Sequence, residues 1–204
     1  MVVTELGGAV PGEIWALQGV PPMVNIRRIV VYIATSADGY IARLDGDVGW
    51  LDRARLKDNY GYGEFFENID TILCGRKTYD KGVDMGMKSG AFGHQVKYYV
   101  FSRQRRGSLI PGFEWASEPI RAVAQRLRGQ PGKDIWMMGS GGIIASFLDE
   151  GEVDELRIHL MPILIGEGIP LIQPRHRSVR LKLLPSKAYP YGVVYLNYHV
   201  KDRS

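Results

Sequence analysis

Cysteine is almost missing from this chain. Cys74 stands alone in 204 residues, so no intramolecular disulfide can staple the fold, and a reducing compartment is the simplest setting. Cys74 lies inside an apolar run and reads as a buried, inert thiol. The four histidines, at 94, 159, 176 and 199, share no metal-ligand spacing, and no metal is expected. No apolar run approaches the roughly 20 residues of a membrane span. The opening stretch MVVTELGGAVPGEIWALQGVPP lacks the basic start and long apolar core of a secretory signal. A large excess of one sign of charge is also missing. The net charge is +4, and the basic residues are scattered rather than lined along one face, as a nucleic-acid-binding module requires. Their densest clusters, Arg103-Gln104-Arg105-Arg106 and Arg175-His176-Arg177, suit solvated loops or a small phosphorylated ligand. These absences predict a cytoplasmic protein whose partner is a small molecule, not a nucleic acid or a membrane.

What is present is enough apolar material for a real core: 45% of the residues are hydrophobic. Residues 1–25 hold Pro11, Pro21, Pro22 and four glycines without a period. They read as an arm or tail, with Met23 as an alternative start, and residues 26–204 as one domain. Within that domain buried strands are expected at 27–36, a β-branched apolar run, and at 70–76, 95–103 and 133–139. Helices are expected at 60–69, from Lys77 onward, at 118–129 and at 141–151. A long strand over 153–166 contains Pro162, which suits a bulge or an edge. Residues 179–201 read as two strands around the Pro185–Gly192 region. Strands alternating with helices and closing in an antiparallel hairpin predict an α/β fold with a mixed, mostly parallel sheet covered on both faces. Ligands of such sheets gather at the carboxyl ends of the strands.

Three strand ends carry anion-binding chemistry. At Gly139-Ser140-Gly141-Gly142 a strand meets a helix whose first amides and partial positive charge face the turn. The spacing is not that of a Rossmann fingerprint, because Ile144 stands where the third glycine belongs. A phosphate cradle and a plain tight turn are equally good readings of this stretch alone. Gly75-Arg76-Lys77-Thr78 repeats the strand–turn–helix arrangement and adds two cations and a hydroxyl. Phe101-Ser102-Arg103 puts a hydroxyl beside a cation at a third strand end. Together the three suggest one extended, multiply phosphorylated ligand.

The stretches SADGYIA (36–42), DTILCGRKTYD (70–80), YVFSR (99–103), IWMMGSGGIIASFL (135–148) and VDELRIHLMPILIGEGIPLI (153–172) occur in the order that marks the dihydrofolate-reductase-like superfamily. Over about residues 27–200 the chain most resembles the reductase domain of bifunctional riboflavin-biosynthesis deaminase–reductases and their stand-alone bacterial relatives. The resemblance implies the three-layer dihydrofolate-reductase-like fold and a homodimer. It also implies NADPH as cofactor. By likeness Ala34 and Ile41 contact the nicotinamide half, and Gly75, Arg76, Lys77 and Thr78 meet the phosphates. Ser102 and Arg103 meet the 2′-phosphate, while Gly139, Ser140, Gly141, Gly142 and Ile143 wrap the pyrophosphate.

The reaction implied is reduction of a small heterocycle of the riboflavin-pathway type, a 5-amino-6-(5-phosphoribosylamino)uracil reductase-like activity. Reduction of a pterin, folate, imine or carbonyl compound is the alternative, and a non-catalytic cofactor-binding protein the third reading. Dihydrofolate reductases carry an acid where this chain has Gly61 or Tyr62, with Glu64 a turn away. A zinc deaminase needs two cysteines and is excluded. Asp38 is the candidate catalytic carboxylate because its loop follows the first strand. Asp45, Asp47 and Trp50 are candidates for substrate contact, and Asp52 is a further aspartate of the same loop. Each aspartate reads equally as a turn former. Glu167 reads as structural.

Overall fold

The run IVVYIATS forms strand β1 (Ile29–Ser36), and its first three residues are wholly buried. Such a strand is apolar on both faces because both faces are covered. The structure, a computed structural model, describes residues 26–51, 59–88, 95–104, 107–174 and 178–201. The expected arm at 1–25, Asp52 and the basic residues at 105–106 and 175–177 lie outside the described residues. After β1 come β2 (Tyr40–Ala42), a 3-10 turn at Gly49–Leu51, α1 (Tyr62–Glu67), β3 (Ile69–Gly75) and α2 (Arg76–Asp84). Next are β4 (Lys97–Phe101), β5 (Phe113–Trp115), α3 (Ile120–Arg128), β6 (Asp134–Met137), α4 (Gly141–Asp149) and β7 (Glu155–Met161). The chain closes with β8 (Ile169–Pro170), β9 (Leu181–Leu183), β10 (Lys187–Ala188) and β11 (Val194–Val200).

The main sheet has the order β10-β11-β7-β1-β6-β3-β4-β5, with β9 also paired to β11. Every pair from β7 to β5 is parallel, and β11 runs antiparallel to β7, β9 and β10. This is the expected mostly parallel sheet with its antiparallel hairpin. The chain winds outward through β1, β3, β4 and β5 and then returns to lay β6 between β1 and β3. That reversal moves the connecting helices from one face to the other. On one face Phe65 and Phe66 of α1 and Tyr79 of α2 pack on Val30, Ile72, Cys74 and Trp136. On the other, Val123 and Leu127 of α3 and Ile144 and Phe147 of α4 pack on Val31, Leu73 and Met137. The carboxyl ends of β1, β6 and β3 lie at the switch, where an open α/β sheet holds its ligand.

Several boundaries differ from expectation. β7 stops at Met161, so Pro162 lies just past the strand and not at a bulge within it. β7 is also hydrogen-bonded on both sides, to β1 and β11, so it is no uncovered edge. Ile69 begins β3 rather than ending α1. Helix α2 continues through Gly82 and ends at Asp84, before Gly86 with its φ of +85°. The short strands β5 and β8 carry no period long enough to be read in the sequence. Below the sheet, Arg27 is 4% exposed. It donates to the Lys133 carbonyl at 2.6 Å, the Thr71 hydroxyl at 2.7 Å and the Asp70 carboxylate. It thereby ties the start of β1 to β3 and to the loop before β6.

Candidate active site

A cavity of about 840 Å³ opens at the carboxyl ends of the parallel strands, on the α1 and α2 side. Strand alternation decides what reaches it. Odd residues of β1 enter the α3–α4 core, whereas Tyr32 and Ala34 point to the opposite face and line the cavity. Trp136 of β6 and His159 and Met161 of β7 join them on the same wall. Lys77, Thr78 and Lys81 recur at helical spacing on α2, and Met85 and Met87 follow. Gly139 and Ser140 close the end where β6 meets α4.

Two of the three expected anion loops therefore meet at one cavity, and a Cβ on Gly75 would lie 3.6 Å from that of Ile143. Neither α2 nor α4 has a side-chain cap at its first turn, so the leading amides are left for another acceptor. The glycines of the turn at 139–142 are not required by backbone conformation, because none of them has a positive φ. A Cβ on Gly141 would come within 2.6 Å of the Pro170 carbonyl oxygen, and one on Gly139 within 2.4 Å of Ile143 Cγ2. Close approach by the protein's own atoms requires these glycines. Gly142 faces only the Gln173 side chain, at ordinary contact distance.

The inner wall carries proton-bearing groups. Buried His159 donates through Nε2 to the Tyr60 carbonyl at 2.9 Å, which places the proton of the neutral ring on Nε2. The Tyr32 hydroxyl donates to the same carbonyl at 3.3 Å and lies 3.5 Å from Nε2. Burial pushes the His159 pKa below its ordinary value, against the pull of the carbonyl. Burial, reinforced by Tyr189, Tyr195 and Tyr62, pushes the Tyr32 phenol up, so it stays protonated. The Tyr32 ring stacks on Phe65 at 4.1 Å and meets Trp136 edge-on.

The candidate residues are not all gathered here. Ala34, Ile41, Lys77, Thr78, Gly139 and Ser140 line the cavity. Arg76 turns away: its guanidinium pairs with Asp80 at 2.7 Å and lies over the Trp115 ring, beside the end of β4 where Ser102 and Arg103 follow. The Ser102 hydroxyl donates to the Gln104 carbonyl at 2.6 Å, while Arg103 is exposed. Asp38 is outside the cavity lining and exposed. Its carboxylate accepts from the amides of Gly166 at 2.7 Å and Ile165 at 3.1 Å, clamping the loop after β7 to the β1–β2 turn. The Ser36 hydroxyl and these amides hold its carboxyl below the usual range. Asp38 is thus a structural clamp, not a group facing the cavity. Asp45 lines the cavity, but Oδ1 accepts from the Asp47 amide at 2.9 Å. Asp47 accepts from the Gly49 amide at 3.1 Å, so both aspartates shape turns. Trp50 is buried with Tyr60, Met161 and Val193, behind the cavity rather than in its lining.

Sequence reasoning missed Tyr32, Tyr60, Tyr62 and His159. The available signal was alternation: with Val31 and Ile33 assigned to one face, Tyr32 must take the other. His159 on β7 had no comparable marker. Among the described residues, no cluster of His, Cys, Asp and Glu could hold a metal ion, and no helix is long and apolar enough to cross a membrane.

Residues 27–195 match the family model described as the RibD C-terminal domain. The uncharacterized protein YwjB of Bacillus subtilis is 32% identical over 168 residues, spanning 82% of this chain and 95% of its own. A Shewanella sp. PV-4 protein assigned to riboflavin biosynthesis superposes with a TM-score of 0.75 at 25% identity, covering 86% of this chain and 99% of its own. The Enterococcus faecalis dihydrofolate reductase, in a complex with NADP(H), shares the fold at a TM-score of 0.62 and 13% identity, over 86% of this chain and 97% of its own.

Proposed function

The chain belongs to the RibD C-terminal domain family, and from that premise we propose that it is an NADPH-dependent reductase of a small heterocyclic substrate, acting as the riboflavin-pathway reductases do. One observation carries the reading: two uncapped helix N-termini, each after a parallel strand, converge on a single cavity with proton-bearing groups at its inner wall. In this reading Lys77, Thr78, Ser140 and the amides opening α2 and α4 hold the phosphates. Arg103, Ser102 and Arg76 meet the 2′-phosphate, and Ala34 and Ile41 flank the nicotinamide. When bound, the reduced nicotinamide supplies a hydride to the acceptor carbon.

The chain's own residues supply the rest. Tyr32 keeps its proton in this environment and delivers it to the acceptor's nitrogen or oxygen as negative charge develops there. The Tyr60 carbonyl, which accepts from both the Tyr32 hydroxyl and His159 Nε2, fixes the position of that hydroxyl. The aromatic and methionine walls exclude water. The test is thermal stabilisation by NADPH and by NADH. A charge-assisted bond to the 2′-phosphate is worth about 1.5–3 kcal/mol, so NADPH should bind at least tenfold more tightly. Equal shifts would remove the 2′-phosphate assignment, and no shift with either would remove the cofactor.

A further inference from the structure

We infer that Lys81 determines specificity for the acceptor, and that the group it takes is a phosphomonoester carried by that acceptor. This rests on the reading of the cavity as a reductase site of the riboflavin-pathway type, and it assigns one turn of α2 to a particular part of the substrate. Lys81 is not among the residues that the family resemblance brings to the cofactor.

Helix physics disfavours the charges that α2 carries. Its first turn holds Arg76 and Lys77 and no acid, although the amino end of a helix is positive and repels cations. Lys77 and Lys81 then stand four residues apart, where like charges on one helix face repel. Arg76 is compensated by Asp80, at 2.7 Å. The two lysines instead line the cavity together with Thr78, whereas Asp80 and Asp84, the acids of the same helix, lie outside that lining. The helix thus sorts its charges by face and turns the repelling pair toward the ligand, so anions that enter the cavity relieve the repulsion. Position separates the two lysines. Lys77 and Thr78 lie beside the leading amides, which the cofactor's phosphates occupy in this reading. Lys81 is one turn further on, about 6 Å along the axis at 1.5 Å per residue, on the way to Met85. It is exposed, so its ammonium stays hydrated until an anion arrives. A compact charge on a flexible stem suits a phosphate at the end of a ribose arm.

Calorimetry on the full chain tests this, with NADP+ present so that no turnover occurs. The probes are 5-amino-6-(5-phosphoribosylamino)uracil and the same compound without its phosphate. The phosphorylated probe should bind at least about tenfold more tightly, the worth of one charge-assisted contact. Lys81→Gln, at an exposed helix position, should bring the two probes within about twofold, while the NADPH melting shift stays within error. Lys81→Arg should restore most of the preference. Equal binding of both probes, binding of neither, or a preference that survives in Lys81→Gln would overturn the inference. So would a loss of the NADPH shift in Lys81→Gln, which would give this lysine to the cofactor. A phosphate preference that Lys81→Gln abolishes, in a chain that NADPH does not stabilise, would support the assignment of Lys81 and defeat the reductase reading instead.

Discussion

At the scale of single residues, chemistry depends on which face of a strand a side chain takes. Tyr32→Phe keeps the ring stacked on Phe65 and removes only the hydroxyl. Turnover of an acceptor should fall by about 10²-fold or more, the usual worth of a positioned proton donor, with the NADPH melting shift unchanged. Unchanged turnover would exclude Tyr32 as the donor. His159 makes a separate prediction through stability. Its folded pKa lies below the unfolded value, so as pH falls the unfolded chain takes up the proton first. The stability is therefore full above about pH 6.5 and is lost as pH falls through the folded value. Denaturant midpoints at pH 7.5 and 5 should differ less in His159→Gln, whose amide can still donate to the Tyr60 carbonyl. An equal loss in both proteins would exclude His159 as the source. Neither residue stood out in the sequence. Tyr32 sits inside an apolar run, His159 is an isolated histidine, and the carboxylate that did stand out, Asp38, serves the backbone of a loop.

At the scale of elements, long apolar strands and the periodic helices α3 and α4 were legible because burial on both faces, or on one stripe, leaves a pattern. The glycine turn at 139–142 was legible as a turn but not in its reason. Whether glycine faces a ligand or another segment depends on the loop at 170–173, some 30 residues on, and local sequence cannot report that contact. The structure separates the two glycines. Gly141→Ala forces a Cβ against the Pro170 and Leu171 carbonyl oxygens, and overpacking of backbone costs about 1–3 kcal/mol. Its melting temperature should drop with or without NADPH. Gly142→Ala meets only a side-chain amide at 3.5 Å and should fold normally. If its NADPH shift is also normal, the cofactor reading of this turn is confined to Gly139 and Ser140. Equal destabilisation by both substitutions would refute the distinction.

At the scale of the whole molecule, the sheet's apolar surface extends further than its helices. Cross-strand partners share a face, so Ile158 and Leu196, Leu160 and Val194, and Leu183 and Tyr198 all stand on the α3–α4 side. There the inner members pack against the core, while Leu183 is 57% exposed and Leu181 40%. Ile158 and Leu160 thus belong to this face of a strand paired on both sides, whereas Ile163 and Leu164 lie in the loop beyond β7. A two-fold axis would set such a face against its own copy, and the homodimer that the family resemblance implies would bury it there. Light scattering at micromolar concentration should give twice the chain mass. Leu181→Glu with Leu183→Glu, both on exposed positions, should give a monomer whose melting temperature falls modestly and becomes independent of concentration. A full chain that is monomeric, and that dimerises once residues 1–22 are removed, would assign the face to the N-terminal arm instead.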